Sequence, residues 1–187
     1  MNPVMENIQQ RRSVRLFELR PIAKNALERL LEAANQAPSG SNVQPWRFVV
    51  VESAEVRAKL ATLALPLYQK WLASTPPEFR QRRALVDSKN TDPVYYSAPA
   101  IVFVIGKGGS GVLDCPMVCQ NLMLAARSLE IGSCWVFIGS LVTANPEVKN
   151  LLQLAEGEKV YGPIVLGYPR DGFPEAPIKK APLVNWL

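Results

Sequence analysis

The stretch Ala-Pro-Ser-Gly-Ser-Asn-Val-Gln-Pro-Trp-Arg-Phe, residues 37–48, lies between two different structural patterns. Residues 21–37 carry apolar side chains at the i, i+3, i+4, i+7 spacing of a helix with one buried face. Residues 47–52 form an apolar, β-branched run of strand length. Small and amide residues between two prolines make a stiff loop that offers backbone N–H groups next to an aromatic wall. A simple connection does not need this composition, so we expect the loop to contact a ligand.

Outward from this loop, the hydrophobic patterns predict a single α+β domain over residues 1–187, with a sheet flanked by helices. The further predicted elements are a short helix after Asn2, a helix through Leu60 and Leu63, a strand over 100–105, a helix from Pro116 to Leu129 with Asp114 as its cap, a strand over 133–138, a helix from Asn145 to Leu154 and a strand over 160–166. The helix over 116–129 is apolar on nearly all sides, which favours a central position or one shared with another subunit.

Two segments lie outside this regular pattern. Residues 66–97 are interrupted by prolines and carry polar, aromatic and basic residues. We expect them to form a variable insertion, with one or two short helices, that covers a site. Residues 170–187 are rich in proline and end in Leu-Val-Asn-Trp-Leu. Because such apolar residues rarely stay in water, we expect this C-terminal arm to dock on its own subunit or on a neighbour.

The composition excludes several kinds of catalytic chemistry. The chain has 187 residues and no histidine, which rules out Ser-His-Asp and Cys-His catalysis and any zinc or haem site with a histidine ligand. Cys115, Cys119 and Cys134 form an odd set, and the first residues lack a secretory pattern. We therefore expect a cytoplasmic protein with inert thiols and no metal site. The apolar runs fall short of the ~20 residues that a membrane span requires.

The formal net charge of +5 favours anionic partners. The basic residues are not gathered in a tail, which weakens the case for nucleic acid. Arg11, Ser13 and Arg15 alternate along the chain, so in an extended segment two guanidinium groups and a hydroxyl point the same way. Such a row of donors suits a phosphate or an electron-rich ring, with a solvated basic helix end as the equal alternative.

Five motifs occur in the order found in one known family. They are Arg-Arg-Ser-Val-Arg at 11–15, Ala-Pro-Ser-Gly-Ser-Asn-Val-Gln-Pro-Trp at 37–46, Cys-Gln-Asn-Leu-Met-Leu-Ala-Ala at 119–126, Gly-Ser-Cys-Trp at 132–135 and Leu-Gly-Tyr-Pro at 166–169. With these motifs the chain resembles the FMN-dependent nitroreductase family from about residue 7 to residue 182. The resemblance implies a mixed, mainly antiparallel central sheet flanked by helices, in an intertwined homodimer with two FMN sites between the subunits.

The resemblance also implies which residues bind FMN. One subunit would contribute arginines and a serine to the phosphate, the ribityl chain and the pyrimidine edge, and the other would bring the loop after residue 37 to the ring. Backbone N–H groups near residue 137 would face flavin N5, a late lysine would close on the phosphate, and Lys89 or Asn90 is a weak candidate for the pyrimidine. The implied cofactor-binding set is Arg11, Arg12, Ser13, Arg15, Pro38, Ser39, Gly40, Asn42, Gln44, Phe137, Ile138, Lys179 and Lys180.

The activity implied by the resemblance is that of an FMN-dependent oxidoreductase. It transfers a hydride from NADH or NADPH through flavin N5 to an electron-poor small molecule, such as a nitroaromatic, a quinone or an enone. No catalytic side chain is implied, because the flavin carries the hydride chemistry. The resemblance also implies no metal and no nucleic-acid or membrane partner. The predicted substrate pocket consists of Tyr68, Trp71, Tyr95 and Tyr96. Because the chain has no histidine, the proton for the acceptor would come from solvent or from a weaker donor such as Tyr95, Tyr96 or a ribityl hydroxyl.

Two alternatives stay open at this point. A specialised flavin enzyme on the same fold, such as an enone reductase, a dehalogenase or a ring-modifying enzyme, would carry the same cofactor motifs. A non-catalytic basic module that binds nucleic acid or another acidic partner would account for the net charge and for the arginines at 80–83. Aromatic stacking residues are not interleaved with those arginines, which weighs against the second alternative.

Overall fold

The apolar run that begins at Ala100 forms the central strand of a five-stranded sheet. The computed structural model describes residues 2–187. Its helices are α1 (Pro3–Gln10), α2 (Lys24–Asn35), α3 (Ala54–Ala73), α4 (Pro77–Asp87), α5 (Gly111–Ser128), α6 (Phe137–Leu141) and α7 (Pro146–Leu151). Its strands are β1 (Trp46–Val51), β2 (Ala100–Lys107), β3 (Gly132–Trp135), β4 (Glu158–Val160) and β5 (Ile164–Gly167). Short 3-10 turns occupy Gly40–Asn42 and Val142–Ala144.

The strands pair in the order β1-β2-β5-β3, and β4 also pairs with β2. All of these pairs are antiparallel, as where Phe48 lies opposite Val104. An isolated parallel bridge joins Ser13 to Ser133 at the β3 edge. The prediction of a mixed, mainly antiparallel sheet flanked by helices is therefore confirmed.

Strand β2 is buried over nearly its whole length because helices cover both faces of the sheet. Ile101, Phe103 and Ile105 pack into one core with side chains of α3, α6 and α7. The alternate residues Val102 and Val104 pack into a second core with α2 and α5. Since successive side chains of a strand point to opposite faces, two cores explain why this run is continuously apolar.

The segment 66–97 is less separate from the domain than the sequence predicted. Pro66 does not end a helix but lies inside α3, which continues to Ala73. Leu60 and Ala64 hold one face of that helix in the core, which compensates for the hydrogen bond that a proline cannot make. The segment therefore consists of the second half of a core helix followed by α4 and a turn.

Two other predicted boundaries are wrong for the same kind of reason. Helix α5 begins at Gly111, so Pro116 lies inside it and Asp114 is a buried side chain of the first turn rather than the cap. The strand predicted over 160–166 is split into β4 and β5, because Pro163 has no N–H for a strand ladder. By contrast, the Asn2 and Asn145 side chains cap α1 and α7 by accepting backbone N–H bonds of 2.9 and 2.8 Å.

The C-terminal arm after β5 is exposed in the single chain. From residue 174 onward every residue is exposed, and Ile178, Leu183 and Trp186 present nearly their whole side chains to solvent. The expected docking of this arm stays a prediction. Within residues 2–187, no helix combines the length and the apolar character needed to cross a membrane. The cytoplasmic location also stays a prediction.

Candidate active site

Residues 11–17 leave α1 as an extended segment that lies along the β3 edge of the sheet. The Val14 N–H donates to the Ser133 carbonyl at 3.0 Å. Gly132 permits this close approach, since a Cβ at that position would lie 2.8 Å from Cγ2 of Val14. Because the Val14 side chain is buried, the residues on either side of it face away from the core. Of the two alternatives left open by the sequence, the structure has the extended segment, in which alternate side chains point the same way.

A cavity of about 900 Å³, called here the larger cavity, opens between this segment, the end of α1 and a strap formed by residues 170–179. The strap follows β5 and begins with a hydrogen bond of 3.1 Å from the Arg170 N–H to the Leu16 carbonyl. The polar side chains that line the larger cavity from these two segments are Arg11, Arg12, Ser13, Arg15, Glu175 and Lys179. The fold thus brings together cations from the beginning and the end of the chain.

The arginines of the larger cavity do not all present free donors. Arg12 folds back on α1, where Nη1 donates to the carbonyls of Gln9 at 2.5 Å and Arg11 at 2.9 Å. It therefore occupies carbonyls at the end of a helix, as a C-terminal cap does. Arg15 makes one long bond of 3.4 Å to the Ser13 carbonyl. Within residues 2–187, Arg11 has no side-chain hydrogen bond. Arg11, Arg15 and Lys179 are the cations available to an anion.

A smaller cavity of about 490 Å³ lies on the other side of Arg15. Its walls come from residues 13–16, from the end of α4 and from the start of the strap at 171–174. Leu85 and Val86 make the α4 wall largely apolar, and Lys89 adds one cation. Ser13, Arg15 and Pro174 line both cavities, so the two spaces adjoin along these residues.

The two weak mid-chain candidates have different surroundings. Lys89 lines the smaller cavity. Asn90 instead donates from Nδ2 to the Arg15 carbonyl at 3.1 Å and to the Val86 carbonyl at 2.9 Å. Its amide therefore fixes the backbone beside the cavity, and Lys89 is the better-placed candidate for a ligand contact.

The loop at 38–44 lies away from both cavities of its own chain, yet it is well ordered by its own bonds. Ser39 Oγ accepts the Gln44 N–H at 3.0 Å, and the Gln44 side chain donates to the Asn42 carbonyl at 3.3 Å. Ser41, Asn42 and Gln44 all have positive φ angles of 45–55°, which is costly for residues with side chains. Pro38 and Gly40 are exposed. A strained and exposed loop of fixed shape is suited to contact a partner, and its role at FMN stays a prediction.

The residues expected after the Trp strand have a different conformation. β3 ends at Trp135, and Phe137 begins the short helix α6, so the extended strand predicted to 138 is corrected. The chain turns there because the Val136 N–H bonds the Pro163 carbonyl at 2.9 Å. Phe137 is exposed and Ile138 is buried. Phe137, Ile138 and Lys180 are not among the residues that line the larger or the smaller cavity, and their predicted FMN contacts stay predictions.

Three of the four predicted pocket aromatics belong to the core. Tyr68, Tyr95 and Tyr96 expose 3%, 1% and 4% of their surfaces, so they are core residues in the single chain. The Tyr95 hydroxyl donates to the Gly139 carbonyl at 2.9 Å, and Arg83 donates to both other hydroxyls. Burial raises the pKa of all three phenols, that of Tyr68 to about 12. None of the three lines the larger or the smaller cavity, and Trp71 is partly buried beside Phe79. Their predicted roles at the substrate pocket, and those of Tyr95 and Tyr96 as proton donors, stay predictions.

The thiols lie in the interior as predicted. All three cysteines are free and buried, and burial raises the pKa of Cys115 to about 11 and that of Cys119 to about 12. Burial also raises the pKa of Cys134, which lies beside Ser13 and Arg15. In the described residues 2–187 no group of three His, Cys, Asp or Glu side chains could hold a metal ion. The site therefore offers cations, a serine hydroxyl and backbone groups.

From the sequence, only the lysines of the strap were predicted to belong to the site. That the rest of the strap lines the two cavities was not predicted. Pro174, Ala176 and Pro177 line the larger cavity, and Asp171 and Gly172 line the smaller one. The available signal was the proline-rich composition directly after the Leu-Gly-Tyr-Pro motif, since prolines keep a chain extended without a sheet partner.

Comparison with known proteins gives a consistent result. Residues 8–168 match the model of the Nitroreductase family. A protein of Archaeoglobus fulgidus, provisionally named NADH dehydrogenase/NAD(P)H nitroreductase, is 30% identical over 171 residues, which cover 91% of this chain and 88% of the relative. Its sequence aligns without a large missing region.

Solved structures agree with the sequence match. A nitroreductase with bound FMN from Bacteroides fragilis has a TM-score of 0.77 and 31% identity over 100% of both chains. A nitroreductase with bound FMN from Desulfitobacterium hafniense has a TM-score of 0.81 and 28% identity, over 99% of this chain and 100% of the other. The family predicted from the five motifs is thereby confirmed, and the chain belongs to the nitroreductase family.

Proposed function

We propose that the protein is an FMN-dependent oxidoreductase that uses NADH or NADPH to reduce an electron-poor small molecule. The observation that carries this proposal is the cationic cavity that Arg11, Ser13 and Arg15 line together with Lys179 of the strap. Two similar structures have FMN bound, and a relative is provisionally named NAD(P)H nitroreductase. Nitroaromatics, quinones and enones are the acceptor classes that we propose.

The residues of the two cavities fit the chemistry of FMN. Guanidinium and ammonium groups match a phosphate by charge and donor geometry, and the Ser13 hydroxyl suits a polar chain. The smaller cavity has the apolar walls that a flat ring requires, supplied by Leu16, Leu85 and Val86. The larger cavity, at about 900 Å³, lies within the usual size range of a cofactor site.

The chain's own part in the reaction is binding, orientation and exclusion of water. When bound, FMN would supply the two-electron chemistry, since it accepts a hydride at N5 and passes it to an acceptor. Arg15, which lines both cavities, would fix the cofactor between them. With no histidine in the chain and with Tyr68, Tyr95 and Tyr96 buried, solvent would supply the proton to the acceptor.

We propose further that two copies of the chain form a homodimer in which each loop at 38–44 completes the partner's site. Exposed apolar side chains support this, because monomers rarely leave large apolar patches in water. They lie on α1, on the outer face of α5 and on the arm: Val4, Ile8, Val112, Leu113, Met117, Leu183 and Trp186. Light scattering after size exclusion should give twice the chain mass at micromolar concentration, and a stable monomer with bound FMN would contradict this assembly.

The activity is tested first through the cofactor. Purified protein should be yellow, with one FMN for each chain, and its flavin absorbance should bleach anaerobically with NADH or NADPH and return on addition of a nitroaromatic. A colourless protein that does not bind added FMN would overturn the proposal. Nitroaromatic, quinone, enone and halogenated aromatic acceptors, compared under steady-state conditions, would then separate a general reductase from a specialised one.

A further inference from the structure

Helix α4 forms one wall of the smaller cavity, although it contributes no buried residue to the domain. A helix of this kind needs specific anchors, since its apolar contacts are limited to Val86, which packs partly buried against the core, and Phe79, which lies edge-on to Trp71. Its N-terminal end is held by Arg80, which donates to carbonyls of Ala73 and Thr75 at the end of α3. The other anchor, nearer the cavity, is Arg83.

Arg83 joins three separate elements through its guanidinium group. Nε donates to the Tyr68 hydroxyl at 2.9 Å, Nη1 to the Tyr96 hydroxyl at 2.7 Å and Nη2 to the Pro93 carbonyl at 2.6 Å. Nε also lies 3.1 Å from Oδ1 of Asp87, one turn further along α4. The Tyr68 hydroxyl in turn donates to the same carboxylate. These bonds connect α4 with α3 and with the turn that precedes β2.

The surroundings of Arg83 make this connection strong. The Arg83 side chain is 14% exposed and that of Asp87 is 19% exposed, so water competes little for their bonds. Loss of one partner from a shielded ion pair leaves the other charge uncompensated, which is costly. Arg82, the preceding residue, is exposed and carries the same charge. It is therefore a matched control on the same helix.

The network leads directly to the cavity. Val86 and Lys89, which line it, lie one and two turns after Arg83 on and just beyond α4. Asn90 follows and donates its amide to the Arg15 carbonyl at 3.1 Å. A displacement of α4 would thus move both the cavity wall and the backbone that carries Arg15.

We propose that Arg83 is a positioning residue that holds α4 and Asn90 against Arg15 and so sets the shape of the smaller cavity. It acts on the cofactor and the acceptor through this wall and touches neither. The expected effect of Arg83 on FMN and acceptor binding rests on the proposed function. The anchoring of α4 by Arg83 does not depend on flavin.

The first test follows amide hydrogen exchange of the full-length protein without flavin, in Arg83→Met and Arg82→Met. We expect exchange of the amides of α4 and Asn90 to rise about tenfold or more in Arg83→Met and to stay unchanged in Arg82→Met, with β2 equally protected in both. If α4 exchanges alike in the two variants, the anchoring is refuted. Should Arg83→Met fail to fold, Tyr96→Phe removes a single partner and should give a smaller increase confined to α4.

The second test measures FMN binding and acceptor kinetics well below the melting temperature. Arg83→Met should raise the Kd of FMN and the acceptor KM by about tenfold each, with kcat within about twofold. Arg83→Lys should recover little, since an ammonium cannot bond several partners in fixed directions. A lower melting temperature with unchanged Kd and KM would overturn the positioning role. If wild-type protein binds no FMN at all, the proposed function fails, whereas the exchange experiment still decides the anchoring.

Discussion

Val14 lies so close to Gly132 that a methyl group in place of the glycine hydrogen would stand 2.8 Å from the valine Cγ2. This contact sets the distance between the segment that carries Arg11 and Arg15 and the edge of the sheet. A side chain at 132 must therefore push the cationic segment outward, because the strand behind it is buried.

Gly132→Ala should lower the free energy of unfolding by about 1–3 kcal/mol, the usual cost of overpacking a tight contact. It should also weaken FMN binding, since the arginines move with the segment. Gly109→Ala is the control, because no heavy atom lies within 4 Å of a Cβ at that position. Urea unfolding and a fluorescence titration with FMN measure the two effects. An alanine at 132 that leaves both unchanged would contradict the packing described here.

The arginines of the Arg-Arg-Ser-Val-Arg motif should separate into two groups. Arg15→Ala should raise the Kd of FMN roughly 10- to 100-fold, as expected for the loss of a charge-assisted bond to phosphate or ring. Arg12→Ala should instead lower stability by about 0.5–1.5 kcal/mol with a smaller effect on Kd, because its guanidinium bonds the end of α1. Arg82→Ala serves as the exposed control. Equal losses of FMN affinity in the two motif variants would show that Arg12 contacts the cofactor after all.

Acid should weaken the contact between Arg47 and Glu158. Nε and Nη2 of Arg47 donate to the two carboxylate oxygens at 2.8 and 2.7 Å, which lowers the pKa of Glu158 from 4.5 to about 2. Since the folded pKa is the lower one, this stabilisation is present above pH 4.5 and is lost as the pH falls toward 2. Glu158→Gln should cost about 1 kcal/mol at pH 7, because Arg47 is partly solvated.

The decisive measurement is the difference in unfolding free energy between wild type and Glu158→Gln at several pH values. The difference should shrink steadily between pH 4.5 and pH 2. Glu18→Gln, which removes an exposed ion pair with Arg20, should show almost no difference at any pH. A pH-independent gap for Glu158→Gln would mean that the ionised form is not favoured by folding.

Mixed dimers test whether the sites are shared. Gly40→Glu should fold normally, because Gly40 is exposed and a Cβ there meets no atom within 4 Å, but the carboxylate should block a flavin bound by the partner. In a dimer of one Arg15→Ala chain and one Gly40→Glu chain, one site combines the altered residue 15 of the first chain with the altered loop of the second. The other site combines the unaltered Arg15 and the unaltered loop, so it should stay intact. Differently tagged chains purified together should then hold about half of the wild-type FMN. No recovery in the mixed dimer would place each loop at its own chain's site.

The sheet, the flanking helices and the cationic segment could be predicted from the sequence because their signals are local. The alternation of Arg11, Ser13 and Arg15 and the continuous apolar run of β2 depend on backbone period alone. The family motifs then connect these local elements to one site. Lys179 was also predicted correctly as a neighbour of the arginines in space, since it lines the same cavity.

The errors arose where distant residues decide the structure. Tyr68 and Tyr96 are core residues in this chain, and their hydroxyls accept bonds from Arg83, a partner that no local pattern indicates. In the same way, Pro66 is a helix breaker by type but is tolerated because the rest of α3 is packed. The start of α6 at Phe137 depends on a bond between Val136 and Pro163, which lie far apart in sequence.

The construction of the larger cavity has a consequence for biosynthesis. Its arginines lie at 11–15 and its lysine at 179, with the strap between β5 and that lysine as the last wall to form. A nascent chain on the ribosome therefore carries the arginines that we propose for the phosphate long before Lys179 exists. On the proposed site assignment, tight capture of flavin waits until translation has passed the strap. Yellow colour would then indicate a chain that has been synthesised and folded through residue 179.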